Sequence, residues 1–184
     1  MEVRETGIAG LVEIIPAVFE DDRGWFYEFY NEKTFSLHGI EYKFVQENQS
    51  FSKKGVVRGL HAQRAPFAQA KLVTVLVGKV LDVVVDMRAG SPTFGKVYTC
   101  VLDASQHNML MIPEGFAHGF SALTDSIFFY KCSQVYNREA EIGIRWNDPD
   151  LRIDWQVDDP VISDKDQILP TLDELLIKSV ISRY

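Results

Sequence analysis

From about Phe44 to Tyr136 the chain alternates short β-branched and aromatic runs with turn residues, the rhythm of an all-β sandwich or barrel. The most regular stretch, Lys71–Asp86 (KLVTVLVGKVLDVVVD), predicts two strands around a tight turn at Gly78-Lys79. In its second half Leu81, Val83 and Val85 share one face while Asp82, Val84 and Asp86 share the other, because side chains alternate along a strand. That pattern predicts a half-buried strand. Further strands are expected over Gly95–Leu102, Asn108–Ile112, Gly119–Leu123 and Ile127–Tyr136, separated by SPTFG, DASQ, PEG and TDS. Helical patterning is confined to the ends. Thr171 followed by Glu174 is a capping-box pair, and Leu172, Leu175, Leu176 and Ser179 or Val180 follow at helical spacing. Asn31–His38, stopped by Gly39, predicts a second short helix. The expected architecture is an antiparallel all-β barrel with peripheral helices.

Composition narrows the class. A length of 184 residues predicts one domain spanning 1–184, and 46% apolar with 24% charged residues is an ordinary globular balance. The formal charge of −7, without any basic cluster, argues against a general nucleic-acid or membrane-surface binder. It leaves room for a small anionic ligand held by a few local cations. Cys100 and Cys132 match no disulfide framework or zinc spacing and are expected to be reduced, buried thiols. The opening MEVRETGIAGLVEII lacks the basic and apolar regions of a signal peptide, and no apolar run approaches the ~18 residues of a membrane span. A cytoplasmic location is expected.

Four segments carry residues suited to chemistry. In VVRGLHAQ (Val56–Gln63), Arg58 and His61 flank a glycine within an apolar strand. Histidine exchanges protons near neutrality and arginine clamps phosphate or carboxylate, so the pair reads either as a site or as a core histidine beside a solvated arginine. Residues three apart point to opposite faces of a regular strand, and a bulge at Gly59 would bring them together. IPEGFAHGF (Ile112–Phe120) delivers His118 from a turn, as a site residue or as a cap of that turn. FFYKCSQVY (Phe128–Tyr136) puts Tyr130 and Tyr136 on one face, as packing residues or as hydroxyls able to move protons. FEDDRGWFYEFY (Phe19–Tyr30) joins Arg23 to alternating aromatics that suit a nucleobase and phosphate, or an edge strand against a partner subunit. The four histidines, His38, His61, His107 and His118, include no His-x-His pair, which disfavours a metal site.

Taken in order, these segments resemble the dTDP-4-dehydrorhamnose 3,5-epimerases. The likeness runs through FEDDRGWFYEFY, QENQS (Gln46–Ser50), RGLHAQ, QAKLVTVLVGKVLDVVVDMR, IPEGFAHGF, FFYKC, GIRWNDPDLRIDW (Gly143–Trp155) and SDKD (Ser163–Asp166). The resemblance implies a cupin-like double-stranded β-helix, or jelly-roll, barrel that works without metal or cofactor. It implies a homodimer with an exchanged N-terminal strand, acting on a dTDP-4-keto-6-deoxyhexose. It implies His61 as base, Asp166 holding its other ring nitrogen, Lys71 at the enolate oxygen and Tyr130 returning the proton. His118 would line the sugar pocket and Arg58 would contact the substrate near the diphosphate. Arg23, Phe26 and Glu28 would hold the nucleotide from the neighbouring subunit, with Gln46, Asn48 and Tyr136 at further pocket positions. Two departures stand out, Ala62 where relatives carry an aromatic residue and Val135 where they often carry tyrosine. An epimerase inverting only C3 or only C5, and a non-catalytic sugar-nucleotide binding barrel, are the alternatives.

Overall fold

The computed structural model describes residues 1–181. In chain order the elements are β1 (Glu2–Glu5), β2 (Val12–Ile15), β3 (Val18–Asp21), β4 (Gly24–Tyr27), α1 (Glu32–Ser36), β5 (Gln46–Ser52), β6 (Val56–Gln63), β7 (Lys71–Val77) and β8 (Lys79–Asp86). They continue as β9 (Val97–Asp103), β10 (Met109–Ile112), β11 (Phe116–Ala122), β12 (Ser126–Cys132), β13 (Glu141–Gly143), β14 (Val161–Ile162), α2 (Asp164–Gln167) and α3 (Leu172–Ile181). One sheet has the order β1-β2-β10-β7-β12-β5. The other runs β13-β6-β11-β8-β9, with β14 also on β6, and β3–β4 form a separate hairpin. The two large sheets face each other as a jelly roll, the expected all-β barrel.

Their inner faces enclose the central core: Val73, Val75, Leu110 and Phe128 from the first sheet meet Val80, Val84, Phe116 and Phe120 from the second. Each such side chain, fully withdrawn from water, contributes about 1.5–3 kcal/mol. A second apolar cluster covers the outside of the second sheet, where Leu81, Val83 and Val85 pack with Val57, Leu60, Trp155 and Leu172. β8 is therefore buried on both faces, not half-buried, with Asp82 and Asp86 fully enclosed. Alternation along β8 separates two interiors instead of core from water.

The turn at Gly78 is also more than a hairpin. β7 pairs with β10 and β12, whereas β8 pairs with β9 and β11, so the chain changes sheets there. The turn is tight enough that a Cβ on Gly78 would lie 2.2 Å from the Asp125 carbonyl. Strand periodicity reveals strands but not which neighbours they choose.

The helices end as their sequences require. Asn31 caps α1 by accepting from the Lys33 and Thr34 amides. At α3 the Thr171 amide donates to Glu174 (2.9 Å) and the Glu174 amide to Thr171 Oγ1 (3.2 Å), a reciprocal capping box. Leu172 docks into the outer cluster, while the side chains of Ser179 and Val180 lie outside the described residues. β12 stops at Cys132, short of Tyr136, because Ser133 turns aside to bond Ala70.

One irregularity positions the site. His61 of β6 faces His118 of β11, but Arg58 faces Phe120, so three steps on β6 span two on β11. This is the bulge anticipated at Gly59, whose φ is +121°. A Cβ there would meet Gly119 Cα at 2.6 Å, and one on Gly119 would meet the Arg58 carbonyl at 2.5 Å. Two glycines are needed for the backbones to approach so closely. The extra residue turns Arg58 and His61 into the same cavity.

Candidate active site

Two cavities of about 260 and 290 Å³ share His61, Lys71 and Tyr130 in their walls. Lys71 opens β7, and Tyr130 of β12 stands opposite Val73, two residues further on, so Lys71 and Tyr130 share one face of the first sheet. His61 comes from β6 in the second sheet. The cavities thus have a histidine on one wall and a phenol and an amine on the other.

His61 Nε2 donates to Asp166 Oδ1 at 2.7 Å. Burial alone would raise the Asp166 pKa, but the His61 hydrogen bond and charge, the Gly59 amide (3.2 Å) and Ser163 outweigh it and hold it below 3.8. The ionised carboxylate only accepts, which fixes the proton on Nε2 and leaves the Nδ1 lone pair available. Ser163 caps α2 by bonding the Asp166 amide, and β14 lies parallel on β6, tying this late segment to the strand of its histidine.

A pH dependence follows. Asp166, with a folded pKa below its unfolded value, contributes stability above about pH 3.8, and that contribution is lost as pH falls through the folded pKa. Denaturant titrations across acidic pH should therefore show wild type losing stability more steeply than Asp166→Asn below pH 5, roughly where protonation begins. Parallel curves would contradict the assigned His61–Asp166 contact.

Desolvation lowers the Lys71 pKa, opposed by Cys132, Asp82 and Glu141. Desolvation raises the Tyr130 pKa, keeping the phenol protonated, and it likewise raises Cys132. Arg58 reaches the 290 Å³ cavity braced by Ser52 Oγ (3.0 Å) and the Phe51 carbonyl (3.1 Å). Gln46 and Asn48 bond each other at 3.1 Å and line the 260 Å³ cavity with Tyr136, whose amide donates to Gln46 Oε1 at 2.8 Å. His118 lies within β11, not in a turn, and its Nε2 bonds Asp82 Oδ2 at 2.8 Å.

The chain does not bring Arg23, Phe26 and Glu28 to these cavities. Arg23 and Phe26 border a separate hollow of about 480 Å³ along the exposed β3–β4 hairpin, which holds none of the proton-transfer candidates. Arg23 pairs with Asp21, and Glu28 accepts from Asn31 and Thr34.

Some participants were not apparent in the sequence. Glu141 accepts from Lys165 Nζ (2.6 Å) and the Tyr136 hydroxyl (2.7 Å) at the cavity mouth. Burial opposes its ionisation, but these two bonds prevail and lower its pKa. Nothing in the run NREAEIG sets Glu141 apart, whereas Lys165 stood beside Asp166 in SDKD. Ala62 belongs to the outer cluster while touching the rim of the 260 Å³ cavity, and Val135 is half exposed. Among the described residues no group of three His, Cys, Asp or Glu is placed to hold a metal ion, and no helix is long and apolar enough to cross a membrane.

A family model described as dTDP-4-dehydrorhamnose 3,5-epimerase matches residues 5–174. The chain belongs to this family. A dTDP-4-dehydrorhamnose 3,5-epimerase of Shigella flexneri is 48% identical over 168 residues, covering 90% of this chain and 93% of the relative. Among solved structures, a dTDP-6-deoxy-D-glucose-3,5-epimerase from Legionella pneumophila in complex with dTDP-4-keto-L-rhamnose is similar with TM-score 0.89 and 44% identity, covering 94% of this chain and 93% of that one. A 3'-monoepimerase from Streptomyces bikiniensis in complex with dTDP-quinovose superposes with TM-score 0.90 at 33% identity, covering 96% and 90%. The cupin-like jelly-roll fold expected from the motifs is thus the fold observed.

Proposed function

We propose that this chain is an isomerase that epimerises dTDP-4-keto-6-deoxyglucose at C3 and C5, giving dTDP-4-keto-L-rhamnose. The observation that carries this reading is that His61 and Tyr130 reach the same cavities from opposite sheets. Inversion at carbon requires removal of a proton from one face and its return to the other. Both C3 and C5 adjoin the C4 ketone, so loss of either proton gives an enolate.

His61 Nδ1 takes the proton and the C–H electron pair moves onto the ketone oxygen. The Lys71 ammonium stabilises that oxygen, more strongly in a desolvated cavity than in water. Tyr130 then gives its hydroxyl proton to the opposite face of the same carbon, and solvent restores both groups to their starting protonation. Repeating the cycle at the second carbon completes the reaction. Asp166 supports the imidazolium that forms on His61.

Arg58, His118, Gln46, Asn48 and Tyr136 hold the substrate along the cavity walls. Arg23, Phe26 and Glu28 serve the cavity of a second copy, with the hairpin as the exchanged element of a homodimer. Phe19, Trp25 and Phe26 leave more than half of their surface exposed in the single chain, which supports a covering partner.

Product stereochemistry tests the reading. NMR of the product from dTDP-4-keto-6-deoxyglucose should show the L-rhamno configuration. Inversion at a single carbon would establish the narrower epimerase, and an unchanged sugar would favour a binding barrel.

A further inference from the structure

The two histidines of the cavity are direct cross-strand partners, His61 on β6 and His118 on β11. Each is bonded through Nε2 to an enclosed aspartate: His61 to Asp166 at 2.7 Å and His118 to Asp82 at 2.8 Å. Asp82 comes from the middle of β8, where its strand partners are Phe120 and Cys100. It is wholly enclosed, and its second oxygen, Oδ1, has no hydrogen-bond partner.

That orphaned oxygen is informative because the same strand carries a satisfied aspartate for comparison. Asp86 accepts from Arg88 through Nε (2.9 Å), Nη2 (2.8 Å) and the backbone amide (3.0 Å), and from the Ser91 (2.7 Å) and Thr93 (2.6 Å) hydroxyls. Its bonds tie β8 to the following loop, a structural role. An enclosed carboxylate with a single hydrogen-bond partner is a poor stabilising device, since desolvation costs more than one hydrogen bond returns, even with the Lys71 charge acting on it. Its one hydrogen-bond partner is a histidine lining the candidate sugar cavity.

We propose that Asp82 is a positioning residue: it commits Nε2–H of His118 to itself, so that the ring presents its Nδ1 lone pair to a hydroxyl of the sugar and sets the ring against His61. A carboxylate enforces this tautomer because it only accepts, whereas a neutral acceptor–donor such as asparagine does not. The pairing of the two dyads across strands gives the purpose. One histidine works on the carbon and its neighbour fixes where that carbon lies, and small misplacement of a reacting centre is costly. The hydroxyl contact rests on the epimerase reading above, while the tautomer does not.

The test combines spectroscopy with kinetics. In histidine-labelled wild type, long-range ¹H–¹⁵N NMR, with His118→Gln supplying the assignment, should show His118 protonated at Nε2 and bare at Nδ1. Finding Nε2 bare would overturn the proposal without any Asp82 variant being needed. Asp82→Asn should populate both tautomers and lower kcat by about 10²-fold with KM changed less than about threefold, the pattern of lost alignment. Asp82→Leu, which keeps the branched shape without any acceptor, should be at least as impaired per folded molecule. Folded variants that keep the wild-type spectrum and kcat would show Asp82 to be a packing residue. Absence of turnover in wild type would instead defeat the epimerase reading, and the spectrum would still decide the role of Asp82.

Discussion

His61→Asn is expected to lower epimerisation by about 10³–10⁴-fold, the scale of losing a positioned general base, while dTDP affinity changes little. Asparagine occupies similar space and retains an amide that can bond Asp166, so the cavity wall survives. What disappears is the basic nitrogen held ready by the 2.7 Å Asp166 contact. Binding should persist because the groups proposed to hold the nucleotide, Arg23, Phe26 and Glu28, line neither of the two cavities that contain His61. Steady-state turnover with calorimetric dTDP titration separates the two effects. Comparable turnover in the variant would remove His61 from the role of base, and lost dTDP binding would show that the imidazole serves the nucleotide instead.

Tyr130→Phe should separate the two halves of the reaction. Inversion should fall by about 10²–10³-fold, while exchange of the substrate C3 proton with solvent persists, because His61 can still remove and return a proton on its own face. The ring itself remains packed beside Phe128, so folding is preserved. Desolvation already holds the phenol protonated, which fits a donor rather than a base. Measuring exchange and inversion in one NMR time course gives the ratio directly. Unimpaired inversion would move the acid to another group, and simultaneous loss of exchange and inversion would give Tyr130 a binding role.

Much of the molecule was legible from local pattern. The short strands, the Thr171–Glu174 cap and the Asn31 cap all arise from neighbours in sequence, where propensity and capping act. Even the bulge at Gly59 was foreseeable, because Arg58 and His61 violate strand parity unless a residue is inserted. What the sequence concealed depends on long-range pairing. The turn at Gly78 looks like a hairpin and instead joins two sheets. Asp82 looks like a solvent-facing polar residue on an alternating strand, yet its position faces the barrel interior because a second apolar cluster covers the opposite face.

The candidate site divides in the same way. His61 and Tyr130 stood in distinctive motifs, whereas Lys71 and Asp166, the latter 105 residues from His61, were marked through family resemblance rather than spacing. Glu141 had no local signal, since it becomes part of the mouth only when β13 pairs with β6 and brings it opposite Gln63. The hairpin residues Arg23 and Phe26 sit away from the cavities of their own chain, so the role proposed for them needs a second copy.

The central claim is proton transfer through opposite walls at two carbons flanking one ketone. Incubating the protein with dTDP-4-keto-6-deoxyglucose in deuterated water, and reading each carbon by NMR and mass spectrometry, tests it most directly. The expected product is inverted and carries one solvent deuterium at C3 and one at C5. Product without solvent deuterium at either carbon would contradict it.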